Sequence, residues 1–289
     1  MAWKKLGLTL LALAALGGAL AFFAPTKVLN FLASSHTHTR YVGASYGAGP
    51  RQDLDVYRPS RTAPRGGWPV VVFFYGGSWR TGDRGDFAFV GEALASRGML
   101  TLVVDYRLYP EVGYPGFLQD GATAVAWALK NAERLGGDPR RVFVMGHSAG
   151  AYNAAMLALD PRWLKAAGRS PRELAGFIGL AGPYDFLPIE NPDVKPVFNH
   201  PDYPPGTQPI DYGGRGAPRT FLGAARQDKL VDPQRNTQAL AAKLQAAGVP
   251  VTVKLYDRVS HMTLIGTLGT PLRWLAPVLD DVTVFVNGG

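Results

Sequence analysis

The 289-residue sequence predicts an α/β protein: a mostly parallel, doubly wound sheet with helices on both faces and one irregular proline-rich insertion. Three observations lead there. Short, continuous apolar runs recur along the chain, the pattern of strands buried on both faces of a parallel sheet. Segments with helical spacing separate those runs, the alternation that builds successive βαβ units. Gly146-His147-Ser148-Ala149-Gly150 then sits between one such strand and one such helix. A serine on a sharp strand-to-helix turn needs small neighbours, because its backbone is strained and closely packed, and the turn lifts the hydroxyl clear of the sheet edge.

Taken in order, Lys4 and Lys5 precede an uncharged, leucine- and alanine-rich stretch from Leu6 to Ala24, the charge-then-apolar order of a signal peptide or membrane anchor. Ala19-Leu20-Ala21 offers a small-residue cleavage site, and cleavage is the preferred outcome. Left uncleaved, residues 6–24 as a helix would reach about 28 Å, just enough for a hydrocarbon core. The protein is thus expected to be exported, periplasmic or secreted, or anchored to a membrane through this segment. Residues 25–45, with the polar run Ser34 to Arg40, read as a linker; His36 and His38 have no further ligand nearby for a metal. The folded domain is expected over residues 46–289.

Within it, Asp53–Tyr57 alternates as a half-buried strand does. Pro69–Phe74, Leu100–Tyr106 and Val142–Met145 are buried strands, followed by Phe177–Leu180, Thr220–Leu222 and Val251–Leu255. Helical spacing runs from Phe87 to Arg97, from Phe117 to Arg134 and from Ala151 to Leu159. A further helix, Asn236 to Ala247, is announced by Asp232-Pro233, an N-cap followed by proline in the first turn. Residues 186–216 break the rhythm with repeated prolines and no period, and a loop this long is expected to lie over the site as a lid.

Composition narrows the function. With 47% hydrophobic and 18% charged residues, the chain can bury one large core. The net charge of +8 is spread over the sequence rather than clustered, so no nucleic-acid partner is expected. The absence of cysteine excludes disulfides, thiolate metal sites, a cysteine nucleophile and a lipid anchor on cysteine.

A serine hydroxyl is a poor nucleophile near neutral pH and needs a base and a group to orient that base. Of the five histidines, His36 and His38 lie in the linker, His147 inside the turn and His200 in the insertion. His261, shortly after the strand Val251–Leu255, is the favoured base, with His200 the weaker rival. The acid should lie between serine and histidine in the chain. Asp228 follows the strand Thr220–Leu222, while Asp232 is occupied as a helix cap; Asp257 is not preferred, being too near the histidine in sequence. The Tyr75-Gly76-Gly77-Ser78-Trp79 turn follows a buried strand, so the N–H groups of Gly76, Gly77 and Ala149 are the candidate oxyanion donors. Tyr75, Trp79 and Met262 are expected to line an apolar substrate pocket.

Together these residues resemble the α/β-hydrolase superfamily, and within it the bacterial esterases related to hormone-sensitive lipase and to the carbohydrate and feruloyl esterases. The similarity runs over roughly residues 50 to 285 and includes Asp53 to Pro59, the glycine turn, Val104 to Glu111, Gly137 to Val142, the serine turn, Asp228 and His261. In such relatives the Asp105–Glu111 stretch is a structural turn with a paired arginine. Tyr75 stands where the family usually has histidine, and Ser78 replaces a third glycine, which brings the chain nearer the feruloyl-esterase and arylformamidase branches. The resemblance implies the α/β-hydrolase fold and a carboxylic-ester hydrolase that acts on small to medium acyl or aryl esters through an acyl-enzyme, without metal or organic cofactor. An arylformamidase, or a catalytically silent, membrane-tethered binding module, is the alternative.

Overall fold

The computed structural model describes residues 25–33 and 36–288. The signal or anchor segment, residues 1–24, lies outside them; among the described residues no helix is long and apolar enough to cross a membrane. Helix α1 (Pro25–Phe31) comes first, followed by β1 (His38–Ser45), β2 (Asp53–Pro59), β3 (Trp68–Phe74), α2 (Ala88–Ser96) and β4 (Leu100–Val104). Then come α3 (Gly116–Asn131), β5 (Gly137–His147), α4 (Ala149–Leu159), α5 (Pro161–Ala166), β6 (Leu174–Leu180) and β7 (Thr220–Ala225). The chain closes with α6 (Ala239–Ala246), β8 (Val251–Tyr256), α7 (His261–Gly266) and α8 (Val278–Asn287).

The strands form one eight-stranded sheet in the order β1-β2-β4-β3-β5-β6-β7-β8. β1 and β2 are antiparallel to their neighbours, and β4 to β8 run parallel with β3. Every residue of β3, β4 and β7 is buried, as their largely apolar runs require, whereas the edge strand β8 alternates. Helices α3, α4 and α5 pack on one another in one layer, and α2 meets α8 in another. From β3 the chain steps to β4 on one side and then to β5 on the other. The carboxyl ends of β3 and β5 therefore flank the point where the winding reverses, the place where open α/β sheets bind ligands.

Among the described residues of the 25–45 range, Pro25–Phe31 and His38–Ser45 are packed elements where the polar sequence suggests a linker. Leu29 of α1 is buried, and the Asn30 side chain donates to the Gly85 carbonyl while accepting from the Phe89 N–H. His38–Ser45 pairs along β2 as an outer strand with a bulge between Tyr41 and Ala44. An edge strand whose residues are mostly exposed has no buried face to impose alternation, so hydrophobic periodicity cannot reveal it. Two strand ends also move. Asp105 and Tyr106 leave the sheet after β4, and β5 begins at Gly137, well before Val142. The 186–216 segment is an ordered coil with short helical turns. Phe186 N–H donates to Gln208 Oε1, Tyr114 N–H to the Val197 carbonyl, and Val197 and Phe198 are buried.

Candidate active site

Register builds the site. Phe74 of β3 pairs with Gly146 of β5, so the turn after β3 and the turn after β5 emerge side by side. Ser148 sits at φ +54°, a left-handed conformation that costs a non-glycine residue energy and is typical of a nucleophile elbow. The flanking glycines are steric requirements. A Cβ on Gly146 would lie 2.1 Å from the Gly150 carbonyl oxygen, and one on Gly150 would lie 2.0 Å from that of Phe74. Ser148 N–H donates to the Leu180 carbonyl at 2.9 Å, which ties the elbow to β6.

β7 and β8 also end together, Ala225 opposite Tyr256, and their following loops carry Asp228 and His261. His261 opens α7 directly after Ser260, whose hydroxyl accepts the Thr263 N–H while the Thr263 hydroxyl accepts the Ser260 N–H. That reciprocal cap sets the start of the helix and with it the position of the imidazole. Asp228 Oδ1 accepts the N–H groups of Leu230 and Val231 at 2.9 and 3.0 Å, and Oδ2 lies 2.7 Å from His261 Nδ1. His261 Nε2 is 2.8 Å from Ser148 Oγ. Burial raises the proton affinity of the Asp228 carboxyl, but the hydrogen bond and charge of His261 and the two backbone N–H groups outweigh it and hold the pKa below the ordinary value. An ionised carboxylate only accepts, so Nδ1 carries the proton and Nε2 presents a lone pair to the serine hydroxyl. The rivals stand elsewhere: Asp257 pairs with Arg226, and His200 is exposed beside Tyr203.

Gly76 approaches so closely that a Cβ there would lie 2.9 Å from the Ser148 Cβ, and Gly77 takes φ +132°. Among the described residues neither glycine gives its N–H to a partner, and Ala149 follows the serine at the first turn of α4. The Gly76-Gly77 turn and the first turn of α4 thus meet beside Ser148.

Two of the residues expected to line the substrate pocket, Tyr75 and Trp79, are buried. Tyr75 is fully buried. Its phenol donates to Asp105 Oδ1 and accepts from Arg51, both at 2.7 Å, and its ring stacks on Phe87 and Tyr106. Asp105 is in turn bonded by the Arg84 backbone N–H and guanidinium, so Tyr75 anchors the glycine turn from behind. Trp79 is 2% exposed; its indole N–H donates to Asn153 Oδ1, and its ring packs among Phe117, Tyr152, Phe186 and Phe198. In both cases the side chain follows the direction that its backbone takes after β3, which composition cannot foretell. Met262 is different: it is exposed on the first turn of α7, next to His261. The Asp105–Glu111 stretch is a structural turn, with Arg107 paired to Asp120. Arg51, Arg84 and Asp105 support the glycine turn from segments far apart in the chain, and no local pattern links them to it. Among the described residues no cluster of histidine and carboxylate side chains could hold a metal ion.

Residues 54–244 match the family model described as BD-FAE. The chain belongs to the BD-FAE family. A probable isoprenylcysteine alpha-carbonyl methylesterase of Oryza sativa subsp. japonica is 32% identical over 252 residues, 79% of this chain and 58% of that protein. Esterase LipC of Mycobacterium tuberculosis is 29% identical over 230 residues, 72% of this chain and 57% of that one. The BD-FAE chain thus spans little more than half the length of these relatives. Among solved structures, an esterase of Pyrobaculum calidifontis superposes with a TM-score of 0.72 at 21% identity, over 91% of this chain and 89% of that one. A truncated carbohydrate esterase from gut microbiota gives 0.71 at 17% identity, over 88% and 98%. At such identities the likeness is one of fold, and the fold is that of the α/β-hydrolases.

Proposed function

We propose that the protein is a carboxylic-ester hydrolase in which Ser148 attacks the ester carbonyl, His261 takes and returns the proton, and Asp228 orients the imidazole. The observation that carries this reading is the unbroken line of short hydrogen bonds from Asp228 Oδ2 through His261 to Ser148 Oγ. As Oγ bonds to the carbonyl carbon, its proton passes to Nε2 and the carbonyl oxygen becomes an oxyanion facing the Gly76, Gly77 and Ala149 N–H groups. Collapse expels the alcohol, which receives the proton from Nε2. Water then repeats the sequence on the acyl-enzyme and releases the acid. The relatives named esterase and methylesterase support the ester class and make methyl esters natural first substrates. Exposed Met262 beside His261 suits a small to medium acyl or aryl group at the rim. The apolar residues 6–24 support export or tethering at a membrane.

The test is hydrolysis of p-nitrophenyl acetate, butyrate and decanoate by the full chain beside Ser148→Ala. Turnover that disappears in the variant is the expected result, with the chain-length profile bounding the acyl pocket. Activity fully retained without the serine hydroxyl overturns the mechanism. A folded wild-type protein that hydrolyses none of the three overturns the ester reading.

A further inference from the structure

His147, the residue before the nucleophile in the serine turn, has no part in the chemistry above, yet its imidazole meets both the loop of the base and the candidate oxyanion turn. Its own backbone precedes Ser148. Its ring nitrogen Nε2 lies 3.0 Å from the backbone carbonyl oxygen of His261, and the two rings are 5.0 Å apart, centre to centre. Its Nδ1 would stand 3.3 Å from a Cβ placed on Gly76, so the ring also packs against the candidate oxyanion turn. The residue is 2% exposed and is enclosed by these loops.

We propose that His147 is a positioning residue: as a neutral imidazole protonated on Nε2, it donates to the His261 carbonyl and clamps the base loop against the serine and oxyanion turns. The proposal rests on the serine-hydrolase reading and adds a residue to it. A carbonyl oxygen can only accept, so the hydrogen bond itself selects the Nε2–H tautomer. Neutrality matters because His261 becomes cationic while the serine proton is in transit, and a second cation so close would oppose that charge. Burial, and then the facing His261, outweigh the nearby Asp228 carboxylate and lower the His147 pKa to about 3, so the ring stays uncharged under working conditions. Loss of the clamp lets the base loop drift, and displacement of a reacting group by about 1 Å can cost on the order of 100-fold in rate.

The experiment compares wild type, His147→Phe and His147→Gln by kcat, KM and thermal melting. Phenylalanine keeps the ring volume without the donor, and glutamine places an amide N–H near the Nε2 position. The expected result is a loss in kcat of about 10- to 100-fold for His147→Phe with KM within about twofold. His147→Gln should recover most of that loss. A phenylalanine variant within twofold of wild-type kcat, or a folded glutamine variant as impaired as phenylalanine, overturns the proposal. If His147→Phe does not fold, nitrogen-15 NMR of wild-type histidines decides. An Nε2–H tautomer that does not titrate between pH 8 and pH 5 upholds it, and an Nδ1–H tautomer, or titration near the ordinary value of about 6.5, overturns it. The NMR result does not depend on hydrolysis, so its failure is distinguishable from failure of the esterase reading, which rests on wild type against Ser148→Ala.

Discussion

Replacing Asp228 by asparagine changes one heavy atom and should slow the reaction by orders of magnitude. The carboxylate is held from both sides: Oδ1 accepts two backbone N–H groups, from Leu230 and Val231, and Oδ2 faces His261 Nδ1 at 2.7 Å. An asparagine keeps its carbonyl oxygen toward the two N–H groups, which turns its NH₂ toward Nδ1. Two donors cannot face each other, so His261 adopts the Nε2–H tautomer and has no lone pair for the Ser148 proton. Flipping the amide restores the working tautomer but leaves both backbone N–H groups unpaired, at about 1–3 kcal/mol each, or about 4 kcal/mol in all. That corresponds to roughly 10³-fold in rate. Loss of the carboxylate charge beside the imidazolium adds to it, giving a fall in kcat of about 10³- to 10⁴-fold, the scale of the same change in serine protease triads. Steady-state hydrolysis of p-nitrophenyl butyrate, with melting curves to establish folding, is the assay. Asp257→Asn, whose carboxylate pairs with Arg226 at the surface, serves as the control and should keep full activity. A folded Asp228→Asn enzyme that loses less than tenfold refutes the assignment of the acid.

Tyr75→Phe should destabilise the protein by about 1–3 kcal/mol in urea unfolding, because the hydroxyl bonded to Asp105 and Arg51 is lost from a buried position, and should leave KM within twofold. A large rise in KM with unchanged stability would return Tyr75 to the substrate pocket. Gly76→Ala brings a Cβ to 2.9 Å from the Ser148 Cβ and 3.0 Å from the His147 carbonyl oxygen, so kcat should fall about 10- to 100-fold while the fold persists; unchanged kcat would show that the turn yields freely. His147 also gives the protein an acid-side stability limit. Its folded pKa of about 3 lies below the ordinary 6.5, so the unfolded chain binds the proton more readily between those values. The contribution is present in full above pH 6.5 and is lost as pH falls toward 3, by about 4–5 kcal/mol over the whole window. Urea unfolding at pH 6.5 and 4.5 should show wild type losing about 2–3 kcal/mol more than His147→Phe, and equal losses would contradict the buried neutral imidazole.

What the amino-acid sequence determined by itself is local. Gly146-x-Ser148-x-Gly150 specifies its own turn, because only glycine escapes contacts of 2.0 and 2.1 Å with neighbouring carbonyls. The largely apolar runs of β3, β4 and β7 specify burial on both faces, and Asp232 before Pro233 specifies a cap, its carboxylate accepting the Gln234 and Arg235 N–H groups. Chain order and elimination made Ser148, Asp228 and His261 the candidates, since few histidines and acids stand at strand ends, and the three side chains lie within hydrogen-bond reach of one another in line. Tertiary structure alone decided that residues 38–45 join the sheet, that Tyr75 and Trp79 turn inward, and that His147 reaches across to His261. Those outcomes depend on which strand ends lie side by side, and that is set by register and winding across the whole sheet rather than by the periodicity of any one segment.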